Sequence, residues 1–123
     1  MVISKILVVD DSPTMIRILV NTLNKAGYNL IDTAESGKDA LAKLAVDPNV
    51  SILLTDWNMP EMSGLELLQA VKADPRTKNI PVVMVTSRSV KEDILTAIKN
   101  GAKDYIVKPF TVDAIKQKLQ NLT

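Results

Sequence analysis

A chain of 123 residues, 46% hydrophobic but only 3% aromatic, is long enough for one domain whose core must consist mainly of aliphatic side chains. Its 15 basic and 14 acidic side chains nearly balance, which argues against a nucleic-acid-binding or membrane-surface protein. The chain contains no Cys and no His, so disulfide frameworks, ordinary zinc sites and nucleophiles activated by histidine are excluded.

Short apolar runs alternate along the chain with segments of helical periodicity. Each run is only a few residues long and rich in Val, Ile and Leu, which is typical of buried parallel β-strands. In chain order these predicted strands cover residues 5–10, 30–33, 50–54, 81–85 and 105–107. The segments between them and after the last of them predict helices.

Each predicted helix begins at a hydroxyl residue that can cap its first turn. In chain order these residues are Ser12, Ser36, Ser63, Ser89 and Thr111. Ser63 and Ser89 are each followed three residues later by a glutamate, which predicts a capping box at both starts. Gly27 and Gly101 are expected to end the first and fourth helices, Asp-Pro pairs end the second and third, and the fifth continues to the C-terminus.

Strands and helices that alternate in this way predict an α/β fold, a doubly wound parallel sheet with helices on both faces. We find no internal repeat, low-complexity tract or linker, so residues 1–123 are expected to form a single domain. The chain also lacks a signal sequence and any apolar stretch of membrane-spanning length. A cytoplasmic protein is therefore expected.

Polar and charged side chains stand where four of the predicted strands end. Asp10 and Asp11 end the first strand, Asp56 follows the third, Thr86 follows the fourth and Lys108 follows the fifth. In an open parallel sheet the carboxyl ends of the strands share one edge, and ligands usually bind there. We therefore expect these five side chains to meet at one edge of the sheet.

Three carboxylates at one edge repel one another, by about 4 kcal/mol for two unit charges 4 Å apart at an effective dielectric constant of 20. A divalent cation would relieve this repulsion, and oxygen ligands of this kind favour Mg²⁺. Lys108 adds a positive charge and the Thr86 hydroxyl adds a hydrogen-bond donor, so the site suits a phosphoryl group.

An aspartate can accept a phosphoryl group covalently. Asp56 is the predicted acceptor because it stands alone at the end of the central strand. The alternative, that the aspartates are only turn or cap residues, suits any one of them. It does not suit three aspartates together with a threonine and a lysine at separate strand ends.

These residues resemble the motifs of response-regulator receiver domains, and the resemblance covers essentially the whole chain. The chemotaxis members of that family are the most similar. The resemblance implies a flavodoxin-like sheet with the strand order 2-1-3-4-5, which is the known order of such chemotaxis regulators. The matching segments are Val8-Val9-Asp10-Asp11-Ser12, Asp56-Trp57-Asn58-Met59-Pro60 with Gly64, Met84-Val85-Thr86 and Lys108-Pro109-Phe110.

The resemblance also implies how the site would work. A histidine kinase would phosphorylate Asp56, and Asp11, Asp56 and the backbone carbonyl of Asn58 would bind Mg²⁺. Asp10 would assist through a water molecule. Such a protein catalyses only its own phosphorylation and dephosphorylation, so it is not expected to be an enzyme in the usual sense.

By the same resemblance, Thr86 and Lys108 contact the phosphoryl oxygens, and the peptide bond between Lys108 and Pro109 is cis. Movement of Thr86 toward the phosphate is expected to draw Tyr105 inward, which shifts the population between two packings of the domain. Without the family context, Tyr105 would be interpreted as a half-buried aromatic residue of a strand.

Two residues near the site bear on the lifetime of the phosphorylated state. Asn58 and Arg88 each stand two positions beyond a site residue, Asp56 and Thr86 respectively. The resemblance implies that residues at these positions tune hydrolysis by controlling the access of water. Arg88 stands where an acidic residue is expected in similar members, so neither the lifetime nor a possible phosphatase partner follows from the sequence.

The segment 88–118 contains seven basic and four acidic side chains. Charge alone indicates solvated helix faces. Ile94 and Ile98 lie one helical turn apart, and with Tyr105 and Lys118 they match the family's output surface on the fourth helix, fifth strand and fifth helix. The resemblance implies a monomer that binds an acidic, apolar segment of a flagellar motor switch protein, with no nucleic-acid or membrane partner.

Three alternatives compete with this interpretation. A Mg²⁺-dependent phosphatase with an aspartate nucleophile usually has a second acid two residues later, where this chain has Asn58. Nucleotide or flavin binding needs a Gly-rich turn after the first strand, and the chain has Asp-Asp-Ser-Pro there. A phosphorelay intermediate, or a receiver excised from a larger regulator, keeps the fold and changes the role. Because the chain ends at its last helix, we expect a stand-alone output protein.

Overall fold

Residues 5–122 are described by the structure, a computed structural model, and they form one parallel β-sheet with helices on both faces. The strands are β1 (Ile6–Val9), β2 (Ile31–Ala34), β3 (Ile52–Thr55), β4 (Val82–Thr86) and β5 (Asp104–Val107). The helices are α1 (Pro13–Lys25), α2 (Gly37–Val46), α3 (Gly64–Ala73), α4 (Lys91–Lys99) and α5 (Val112–Gln120).

The strand order in the sheet is β2-β1-β3-β4-β5, and every neighbouring pair is parallel. The predicted fold class and strand order are therefore confirmed. Since β2 lies on one side of β1 and β3 on the other, the winding reverses between β1 and β3. In sheets of this kind a crevice opens at the carboxyl ends of those two strands.

The register brings the ends of β1 and β3 together. Val9 is paired with Thr55, so the next residues, Asp10 and Asp56, are neighbours at the sheet edge. The backbone N–H of Asp56 donates to the Val9 carbonyl at 3.0 Å, which extends the sheet pattern by one residue. The backbone therefore fixes the separation of these two aspartates.

Alternate residues of each central strand point to opposite faces of the sheet and are buried on both. On one face, residues such as Leu53 and Met84 pack with residues of α2, α3 and α4. On the other, residues such as Leu54 and Val83 pack with residues of α1 and α5. Burial on both faces explains why these strands have continuous rather than alternating apolar sequences.

Four of the five residues predicted to cap a helix do so in the structure. Each of the four side chains accepts a hydrogen bond from the backbone N–H three residues later, and at Ser63 the complete capping box with Glu66 is present. Gly27 and Gly101 have φ values of 101° and 105°, as expected of residues that follow a helix. The four capping residues are Ser12, Ser36, Ser63 and Thr111.

The predicted capping box at Ser89 is wrong. Helix α4 begins at Lys91 with Val90 as its N-cap, and that cap makes no side-chain hydrogen bond. Glu92 is then the second residue of the helix rather than the third. Ser89 therefore lies one residue too early for the reciprocal pair of hydrogen bonds to form.

The predicted continuation of the last helix to the C-terminus is also wrong in detail. Helix α5 ends at Gln120 with Asn121 as its C-cap, and Thr123 lies outside the described residues, as do residues 1–4. Among residues 5–122, no helix is both long enough and apolar enough to cross a membrane.

Helix α3 begins in very close contact with the loop that follows β3. The Gly64 N–H donates to the Trp57 carbonyl at 2.7 Å. A Cβ atom at Gly64 would lie only 1.9 Å from the Asp56 carbonyl oxygen. The helix can approach the backbone at Asp56 this closely only because position 64 has no side chain.

We expect Gly64→Ala to lower the free energy of unfolding by about 3 kcal/mol, because the added methyl group forces two backbone segments apart. Gly37→Ala is the matched control, since Gly37 is also the first residue of its helix. Its Cβ would meet the Met62 side chain, whose Sδ is 2.6 Å away and can move aside. A loss of about 1 kcal/mol or less is expected there. Urea unfolding measures the free energy of unfolding of both variants, and equal losses of stability in the two would contradict this explanation.

Candidate functional site

Asp56 lies at the first position after β3. Its Oδ1 accepts a hydrogen bond from the Trp57 N–H at 2.7 Å. Its Oδ2 lies 3.4 Å from the Lys108 ammonium. The side chain is 13% exposed, so solvent and ligands can reach a carboxylate that is otherwise held in place.

Asp10, Asp11 and Asp56 form an acidic cluster. One carboxylate oxygen from each lies within 4.8 Å of the other two. Asp10 is buried and its Oδ1 accepts the Ser12 N–H at 2.9 Å, whereas Asp11 is exposed. The cluster is compact enough to surround a single ion, with direct contacts or through water, and an all-oxygen set of ligands that includes a solvent-exposed member fits Mg²⁺, which keeps part of its water shell.

Lys108 places its ammonium group against this cluster. Its Nζ lies 3.2 Å from Asp10 Oδ2 and 3.4 Å from Asp56 Oδ2, and its side chain is 15% exposed. The peptide bond to Pro109 is cis. One ammonium beside three carboxylates leaves two negative charges unbalanced, so a further cation would reduce their repulsion.

Thr86 is the last residue of β4 and is fully buried. It is paired with Val107 in β5, and its carbonyl accepts the Lys108 N–H at 2.9 Å, so the threonine and the lysine are held together by the backbone. The Thr86 Oγ1 accepts the Arg88 N–H at 3.3 Å. A hydroxyl that accepts one hydrogen bond can still donate its own proton to another group.

Asn58 and Arg88 are in direct contact, which the sequence patterns did not predict. The arginine donates two hydrogen bonds to Asn58 Oδ1, at 2.9 Å from Nη2 and 3.1 Å from Nε. It also pairs with Asp93 at 3.4 Å. The sequence contained only a partial signal, since Asn58 and Arg88 follow the ends of the adjacent parallel strands β3 and β4. The register places Asn58 opposite Ser87, so the contact depends on the reach of the long Arg88 side chain.

Tyr105 is buried rather than half-buried, with 6% of its surface exposed. Its hydroxyl donates to the Arg88 carbonyl at 2.8 Å, and its ring meets Trp57 edge to face, with ring centroids 6.5 Å apart. Burial, followed by the negative charge of Asp93, raises the pKa of Tyr105, while Arg88 acts in the opposite direction. The phenol therefore remains a protonated donor at ordinary pH.

The residues predicted to form a partner surface differ in their exposure. Ile98 is 44% exposed, whereas Ile94 is partly buried and packs against the core. Lys118 is ion-paired with Asp104 at 2.9 Å. Two further apolar side chains on α4 and β5, Leu95 and Val107, are also exposed.

Comparison with known proteins links this site to a family. The family model described as the response regulator receiver domain matches residues 6–120. Chemotaxis protein CheY1 of Helicobacter pylori (strain J99) is 50% identical over 116 residues, which cover 94% of this chain and 94% of that protein. A chemotaxis protein CheY homolog of Campylobacter jejuni is 47% identical over 118 residues, covering 96% of this chain and 91% of the relative.

A solved structure shows the same relationship. Chemotaxis protein CheY4 of Vibrio cholerae matches with a TM-score of 0.89 at 33% identity, over 99% of this chain and 100% of that one. The family model, the curated relatives and the strand order therefore agree. The chain belongs to the response-regulator receiver domain family, and it is a receiver of the CheY chemotaxis type.

Proposed function

We propose that this chain is the phosphoacceptor of a two-component system, in which Asp56 receives a phosphoryl group from a histidine kinase. The observation that carries the proposal is the position of Lys108, whose ammonium lies 3.2 Å from Asp10 and 3.4 Å from Asp56 within a cluster of three carboxylates. This arrangement combines a nucleophile, a fixed positive charge and oxygen ligands for a cation.

The proposed transfer uses the Asp56 carboxylate as the nucleophile. One of its oxygens forms a bond to phosphorus while the bond between phosphorus and the kinase's phosphohistidine nitrogen breaks. That nitrogen keeps the bonding electron pair and leaves as neutral imidazole, whose other nitrogen bears a proton. Asp56 has no proton to lose, so no general base is needed. The Trp57 N–H holds Oδ1 at 2.7 Å, which orients the carboxylate for attack.

The remaining site residues manage the charge that arrives with the phosphoryl group. Lys108 would contact one phosphoryl oxygen, and the Thr86 hydroxyl would donate a hydrogen bond to another. Asp10, Asp11, Asp56 and the Asn58 backbone carbonyl would hold Mg²⁺, directly or through water. The ion supplies positive charge that offsets the charge of the phosphoryl oxygens.

The same residues count against an aspartate-dependent phosphatase. Such an enzyme needs a proton donor two residues beyond its nucleophile, and here that residue is Asn58, whose Oδ1 accepts two hydrogen bonds from Arg88. An amide in that arrangement cannot act as a general acid. We infer that the chain catalyses only its own phosphorylation and dephosphorylation.

The proposed output surface is formed by α4, β5 and α5. Four residues of these elements are assigned to this surface, and Ile94 among them is partly buried against the core. They are Ile94, Ile98, Tyr105 and Lys118. The basic excess of residues 88–118 complements an acidic, apolar segment of a flagellar motor switch protein. The relatives are named as chemotaxis proteins, which supports this choice of target.

The wider assignment follows from this proposal. We infer that residues 1–123 act as one receiver unit, in the cytoplasm and as a monomer. Its partners would be a histidine kinase, a target such as the motor switch and, for signal termination, a phosphatase. Neither a nucleic acid nor a membrane surface is among the proposed partners.

The acceptor assignment predicts that Asp56→Asn loses the covalent label that a phosphorylated kinase or acetyl phosphate gives to the wild type. Asparagine has the same shape but lacks the anionic nucleophile. Asp113→Asn, in the first turn of α5, is the matched control and should be labelled normally. Intact-mass spectrometry measures the stoichiometry. A full-stoichiometry, acid-stable label on Asp56→Asn would refute the assignment.

The charge imbalance predicts that Asp11→Asn raises the free energy of unfolding by about 1 kcal/mol in low salt without divalent ions, because it removes one repelling carboxylate. Mg²⁺ should stabilise the wild type by mass action and the variant much less. Urea unfolding with EDTA and with Mg²⁺ provides both comparisons. The proposal would be contradicted by a variant that is less stable without Mg²⁺ and equally stabilised with it.

The output surface predicts that Ile98→Asp weakens binding of an acidic amphipathic peptide from a motor switch protein by about tenfold, since a charge replaces an apolar contact. Ile18→Asp is a closely matched control, because Ile18 in α1 is also 44% exposed. Fluorescence anisotropy of the labelled peptide, with both variants phosphorylated, measures the effect. Equal affinities of the two variants would place the target elsewhere.

A further inference from the structure

Arg88 lies in the loop between β4 and α4, and its side chain contacts three different groups. Its guanidinium carbon lies 4.8 Å from the centroid of the Trp57 ring. Two of its N–H groups donate to Asn58 Oδ1, at 2.9 and 3.1 Å. A third nitrogen lies 3.4 Å from an Asp93 carboxylate oxygen. The side chain therefore joins the loop after Asp56 to the first turn of α4.

The backbone of Arg88 is engaged as well. Its N–H donates to Thr86 Oγ1 at 3.3 Å, and its carbonyl accepts the Tyr105 hydroxyl at 2.8 Å. The Tyr105 ring packs edge to face on Trp57, the same indole that lies beneath the guanidinium. Arg88, Trp57 and Tyr105 thus each contact the other two.

The other residues of this loop, Ser87, Ser89 and Val90, are exposed, and the N-terminus of α4 has no side-chain cap. The position of the Arg88 carbonyl therefore depends largely on the contacts of the Arg88 side chain. A buried phenol keeps its place only while its hydroxyl has a partner, because an unsatisfied buried hydroxyl is costly.

We propose that Arg88 is a positioning residue that holds Tyr105 in its buried position by fixing the carbonyl that accepts the tyrosine hydroxyl. The inference rests on the proposed function only in that Tyr105 belongs to the proposed output surface. The inward position of Tyr105 is then set, through Arg88, by a contact with the loop that carries Asp56.

The test observes Tyr105 directly, with neither phosphodonor nor Mg²⁺ present. The chain contains two tyrosines, so replacing both with 3-fluorotyrosine gives two ¹⁹F resonances, which Tyr105→Phe assigns. Arg88→Ala should move the Tyr105 resonance toward its position in the denatured chain and leave that of Tyr28 unchanged. Arg76→Ala is the matched control, because Arg76 also pairs with an aspartate, at 3.1 Å, and does so far from the site.

Arg88→Lys keeps the charge but loses the planar fork that reaches Asn58 and Trp57 together, so it should move the resonance part of the way. An unshifted Tyr105 resonance in folded Arg88→Ala would overturn the proposal, as would an equal shift in Arg76→Ala. If Arg88→Ala does not fold, which the Tyr28 resonance reports, an unshifted resonance in Arg88→Lys overturns it. Failure of Asp56 to accept phosphate would refute the proposed function and leave this result unaffected.

Discussion

The unequal charge at one edge of the sheet is the constraint on which the rest of this structure depends. Asp10, Asp11 and Asp56 bring three carboxylates within 4.8 Å of one another, and Lys108 supplies one ammonium to oppose them. We expect the repulsion within the cluster to destabilise the folded chain, as functional sites often do. The residual negative charge of the cluster favours binding of a divalent cation. With that cation bound, the site is suited to an anionic phosphoryl group.

The fold leaves this cluster little freedom to relax. Register pairs Val9 with Thr55, and the Asp56 N–H bonds to the Val9 carbonyl, so the two aspartates that follow cannot move apart without breaking the sheet. Gly64 brings the start of α3 against the Asp56 carbonyl from the other side. The two buried faces of the sheet provide the stability that offsets this repulsion.

The sequence alone predicted the elements and the strand ends well, because apolar runs and their polar ends are local patterns. The strand order came from the resemblance rather than from those patterns. The capping box at Ser89 failed because a cap works only if the helix begins at the next residue, and the helix begins at Lys91. The contact between Arg88 and Asn58 was missed because a long side chain has many reachable partners, and tertiary packing selects among them. The burial of Tyr105 depends on that contact.

The most direct test of the central claim is the fluorescence of Trp57, the only tryptophan, whose backbone N–H bonds to the Asp56 carboxylate. Wild type and Asp56→Asn are titrated with Mg²⁺, and beryllofluoride is then added as a stand-in for the phosphoryl group. If Asp56 accepts a phosphoryl group beside a bound cation, the wild type shows a saturable response to Mg²⁺ and a second change with beryllofluoride that Asp56→Asn does not show. If the wild type responds to neither, the acidic cluster is structural and does not bind a phosphoryl group.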